Sequence, residues 1–96
     1  MKKQIVLKKS FDTHGINNKV AALLLVVNIN NTQGRYQSNN KLYQKSLEYL
    51  DRGYALLANK EKEETYWELQ LKNAETLLLL GEYEKANAIL EQCLEP

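Results

Sequence analysis

Apolar residues recur at helical spacing through the second half of the chain. Over 42–59, Tyr43, Leu47, Leu50, Tyr54 and Leu57 follow i, i+4, i+7, i+11, i+14, one face of an α-helix, and Asn39 or Asn40 can cap its start. A second stripe, Leu42, Tyr49 and Leu56, widens the apolar arc, as in helices that pack between two neighbours. Ser46 and Gly53 are small residues set between the stripes, and Gly53 reads as a point of close helix packing. The polar run 59–64 ends in acids that suit a helix start. The next stripe is Trp67, Leu71, Ala74 and Leu78, and four consecutive leucines, 77–80, predict burial on more than one side or a partner surface. Gly81 then reads as a left-handed helix stop. A last helix over 83–95 places Tyr83, Ala86, Leu90 and Cys93 on one face with Ile89 and Leu94 flanking. The short Gly81–Glu82 link forces these last two helices into an antiparallel hairpin.

The first forty residues carry less pattern. Gln4–Leu7 fits a short strand or a frayed lead-in, and 20–29 favours helix at its start while drifting toward strand at Val26–Ile29. Asn30–Gly34 reads as a loop or helix stop, followed by a polar stretch from Arg35 to Asn40. The predicted fold is all-α: about four helices in two antiparallel hairpins behind a short irregular or β-like N-terminal segment, all within a single domain spanning 1–96.

Composition supports one domain, with 44% hydrophobic and 26% charged residues over 96 positions. The net charge of +1 hides a division: seven basic residues and one acid lie in 1–41, but six basic residues and eleven acids in 42–96. Cys93 is the only cysteine and His14 the only histidine, which excludes an intrachain disulfide, a thiolate metal centre and a histidine-based triad. Cys93 reads as an inert thiol on an apolar stripe, and His14 as an exposed loop residue before Gly15. No paired carboxylates, glycine-rich phosphate loop or nucleophile with a base can be assembled, so the expectation is a non-enzyme without a cofactor. The apolar run from Val20 to Val27 is eight residues, too short for a bilayer span and too late for a secretory leader, which points to a cytoplasmic protein without a membrane partner. Ten asparagines and many lysines fit an AT-rich genome, bacterial or phage.

Two Gly-x-Tyr triplets, Gly34-Arg35-Tyr36 and Gly81-Glu82-Tyr83, each follow an apolar helix candidate and stand 47 residues apart. Recurrence at such a period marks stacked helical hairpins. Together with Ala74, Leu77, Ala86, Leu90 and Cys93, the second triplet resembles a tetratricopeptide repeat (TPR), in which small residues let two helices approach and large ones fill the gap. The resemblance covers 67–96 well and 18–59 weakly. Gln70 and Asn73 depart from it, standing where the family places apolar residues, and the 47-residue period is nearer to the longer-helix variants of peptide-pheromone regulators.

The resemblance implies a protein or peptide partner on a concave face lined by first helices, here Glu68, Leu71, Lys72, Glu75, Leu78 and Leu79. The carboxylate clamp of some TPR proteins is not expected, because Glu68, Lys72 and Leu79 replace its basic residues and asparagine. Two hairpins fall short of the roughly three repeats a solenoid needs, so the last should expose apolar side chains, Ile89 and Leu94 among them. The chain is expected to be a homodimer or to need an obligate partner. Lys2, Lys3, Lys8 and Lys9 form a candidate electrostatic patch, for the acidic helices or for an acidic partner. Nucleic acid is the weaker choice, since only Phe11 accompanies the cluster as a stacking residue. The main functional expectation is a TPR-like adaptor or regulator. The alternative is a small helical-bundle inhibitor or immunity-type protein that occludes a larger target; open hairpins with a groove favour the first, a closed bundle the second.

Overall fold

The computed structural model describes residues 2–57 and 64–95, with side chains from Asn18 onward. Four helices follow in order: α1 (Lys2–Gln37), α2 (Asn40–Leu56), α3 (Glu64–Leu79) and α4 (Tyr83–Leu94), with no strand among the described residues. The all-α expectation holds for these residues. The irregular or β-like N-terminal segment does not: Gln4–Leu7, the stretch around His14 and Gly15, Val26–Ile29 and Asn30–Gly34 all lie within the single helix α1.

Packing explains why α1 continues through a stretch of weak helix formers. Val20, Leu24, Val27, Asn31 and Gly34 recur at i, i+4, i+7, i+11, i+14 and are all buried. At Gly34 the approach to α2 is so close that a Cβ would stand 2.6 Å from the Tyr43 ring. Tertiary contact thus outweighs the low helix propensity of asparagine and glycine here. Gly34-Arg35-Tyr36 is therefore helix and not a turn, which dissolves the 47-residue recurrence. The chain reverses four residues later, at Ser38, whose φ of 53° is left-handed. The Asn39 N–H bonds back to the Gly34 carbonyl at 2.9 Å, and Asn39 then caps α2 by accepting the Lys41 N–H at 3.0 Å. The α3–α4 turn uses the same device, with Gly81 at φ 83° and the Glu82 N–H on the Leu77 carbonyl at 2.8 Å.

The main core joins α1, α2 and α3 through Val20, Leu24, Val27, Leu50, Leu57 and Leu69. A second cluster, Ala74, Leu77 and Ala86 with half-buried Ile89 and Leu90, joins α3 to α4, and Leu47 of α2 touches both. Gly53 behaves as expected, sitting where a Cβ would meet Leu69 Cδ2 at 2.7 Å. The stripe expected on α3 is rotated: of Trp67, Leu71, Ala74 and Leu78 only Ala74 is buried, and Leu69, Gln70, Thr76 and Leu77 face inward instead.

Among the described residues α3 packs against α1, α2 and α4, whereas α4 packs against α3 alone and does not close against α1. The Cα atoms fill a slab 51 × 34 × 17 Å, about two helix layers thick. At 1.5 Å per residue α1 is about 54 Å long and α2 about 26 Å, so residues 2–17 run past the end of α2.

Candidate functional site

Two open grooves flank α1. The first, about 420 Å³, runs between α1 and α3 and is walled by Ala21, Leu24, Leu25 and Asn28 on one side and Glu68, Leu71 and Lys72 on the other. Three of the six concave-face residues expected from the sequence therefore line one groove. Leu78 continues its α3 wall by one further pair of turns, i+7 from Leu71, and is 41% exposed. Leu79 is half-buried, and Glu75 binds the Lys72 Nζ at 3.0 Å. Leu25 of α1, 63% exposed, was not anticipated: the uniformly apolar run Val20–Val27 hides which leucine faces the core and which faces out.

About one turn beyond the groove lining, buried polar contacts tie the same two helices together. Asn31 Nδ2 donates to Thr76 Oγ1 at 2.8 Å, and that hydroxyl donates in turn to the Lys72 carbonyl at 2.8 Å. Asn31 Oδ1 is buried without a hydrogen-bond donor. Behind α3, Gln70 and Asn73, the two departures from the repeat pattern, join a polar network. The Tyr54 hydroxyl donates to Gln70 Oε1 and accepts from Asn73 Nδ2 at 3.3 Å, while Gln70 Nε2 donates to Gln92 Oε1 at 3.2 Å. Burial pushes the Tyr54 hydroxyl up from the ordinary 10 to about 12, partly countered by the hydrogen bond with Asn73. These positions are polar because they bridge α2, α3 and α4.

The second groove, about 730 Å³, lies between α1 and α2 and is lined by Lys19, Leu23 and Val26 of α1 and Tyr49, Arg52 and Leu56 of α2, among others. The Arg52 guanidinium lies 5.4 Å from the centre of the Tyr49 ring.

At the far end of the molecule Leu94 is 84% exposed, as an association surface requires, whereas Ile89 is half-buried against α3. Cys93 is a half-buried free thiol. Lys2, Lys3, Lys8 and Lys9 belong to the first turns of α1, and their side chains lie outside the described residues. Among the described residues no cluster of histidine, cysteine or carboxylates could hold a metal ion, and no helix is long and apolar enough to cross a membrane. The chain matches no protein-family model, no curated protein and no solved structure.

Proposed function

We propose that this chain is a non-enzymatic adaptor or regulator that holds a segment of another protein along the α1/α3 face, in the manner of a TPR-like hairpin array. One observation carries the reading: Leu25 and Leu71 stand exposed in the α1/α3 groove, with Leu78 exposed two turns further along α3, between helices that the Asn31–Thr76 hydrogen bond holds together. Glu68 and the Lys72–Glu75 pair edge the α3 wall, while α1 bears no acid over residues 18–37. The fitting ligand is an apolar segment with a basic residue set to meet Glu68.

The open arrangement supports this reading over an occluding bundle, which needs α4 to close against α1. A photo-crosslinking residue at position 71 should capture a specific protein in cells of the native host, with the crosslink mapping to an apolar segment near a lysine or arginine. Leu25→Glu should abolish that crosslink while leaving helix content unchanged. Equal labelling from position 71 with and without Leu25→Glu would refute the proposal.

A further inference from the structure

Among the described residues the α1/α2 groove and the outer flank of α4 both lie open at the ends of the helix array, and their chemistry is complementary. On α2 the end of the Leu42, Tyr49 and Leu56 stripe, Tyr49 and Leu56, lines the groove together with Ala55. Helical spacing sets Lys45, Glu48 and Arg52 along the α2 side of the groove, and Lys19 lines the opposite wall, so the rim carries three cations against one acid and is basic on balance. On α4, Tyr83, Leu90 and Leu94 follow i, i+7, i+11 along one flank, with Tyr83 and Leu94 exposed. The adjoining strip is Glu84, Glu91 and Glu95 at the same spacing, all exposed. This is an apolar ridge with an acidic edge.

We infer that the α4 flank of one copy docks in the α1/α2 groove of a second copy, head to tail. The two surfaces lie on different helices of the same chain, so the contact is heterologous and leaves one free groove and one free α4 at the ends of every open assembly. Groove against groove would instead bring Lys19 and Arg52 of two copies together, and α4 against α4 would oppose two acidic strips. Opposite charge therefore selects the head-to-tail pairing. The inference does not rest on the α1/α3 reading, which concerns another face.

Light scattering on the full chain tests it, with two variants at exposed positions: Ala22→Glu, which sets an acid in the groove, and Leu94→Arg, which sets a cation on the α4 ridge. The wild-type mass should rise above one chain with concentration, up to on the order of 100 µM, and fall back as salt is raised from about 50 to about 500 mM. Each variant alone should stay at the mass of one chain. Mixed, they should form a one-to-one pair and nothing larger, because one retains the groove and the other the ridge. Circular dichroism verifies that each variant is helical, and Ala55→Glu replaces Ala22→Glu if that chain unfolds. A wild type fixed at one chain, a mixture that stays monomeric, association indifferent to salt, or one variant that dimerises by itself would overturn the inference.

Discussion

Ser38 holds the left-handed backbone of the α1–α2 turn with φ 53°, whereas the equivalent position of the α3–α4 turn is Gly81. A side chain in that region costs about 1 kcal/mol relative to glycine. Ser38→Gly should therefore raise stability by about 0.5–1 kcal/mol, read as a higher denaturant midpoint with an unchanged slope. Asn31 is a second local conflict, since its buried Oδ1 lacks a donor while Thr76 retains its bond to the Lys72 carbonyl. Asn31→Leu, which keeps the branched outline with two somewhat larger methyl groups, should be neutral or stabilising by up to about 1 kcal/mol in the same measurement; a loss above about 2 kcal/mol would show that the Asn31–Thr76 bond and the tight fit around it matter more than the orphaned oxygen. Tyr54 gives the fold a pH dependence. Its hydroxyl ionises near 10 when unfolded and about 12 when folded, so the folded state holds the proton more tightly. That stability is fully present below about pH 10 and is lost as pH rises toward 12. Unfolding curves for wild type should steepen their decline across that window relative to Tyr54→Phe. The phenylalanine variant should itself start about 1–2 kcal/mol lower at neutral pH, because Gln70 Oε1 loses its donor.

Helix contacts in this fold are set by missing side chains as much as by large ones. Gly53 lets α2 approach Leu69 of α3, a residue with no exposed surface, and Gly34 lets the Tyr43 ring lie on α1. Gly53→Val should push α2 from α3 and lower stability by about 1–3 kcal/mol, visible in a thermal melt. Helix propensity alone favours the opposite sign. The helices α2, α3 and α4 are legible in the sequence because each is bounded by a local signal, Asn39 before one and Gly81 between the others, and α2 alternates its apolar and polar faces. The helix α1 is not, for two physical reasons. Its middle is apolar all round, which erases the periodicity, and its later turns contain Asn30, Asn31 and Gly34, whose helical state is imposed by Thr76 and Tyr43 from other helices. The same non-local effect turned the α3 stripe: Gln70 and Asn73 face inward because Tyr54 and Gln92 offer partners that no spacing rule reveals. The α3 wall of the groove was visible as Glu68, Leu71 and Lys72, while its α1 wall became visible only once α1 was seen to be one helix.

At the scale of the molecule, among the described residues, the α3 backbone runs beside every other helix and the α4 backbone beside α3 alone, so the array has a hub and a terminal arm. Among the described residues the helix pairings other than α1 with α3 join neighbours in sequence, a largely local topology of the kind that folds fast. The arm has its own cluster, Ala74, Leu77 and Ala86, small in volume beside the main core, and a turn at Gly81 where an added Cβ would meet no described atom within 4 Å. Opening of this element gives up that cluster and the Gln70–Gln92 hydrogen bond and leaves the main core of α1, α2 and α3 intact. Amide hydrogens of α4 should accordingly exchange with deuterium through an opening several-fold more frequent than those of α2 and of α3 around Leu69, at a protein concentration low enough to keep one chain per particle. Equal protection of α2 and α4 would mean the four helices open as one unit. The single-sided attachment of α4 thus makes it a detachable arm, one whose protection from a protease would report whether a second surface has closed over it.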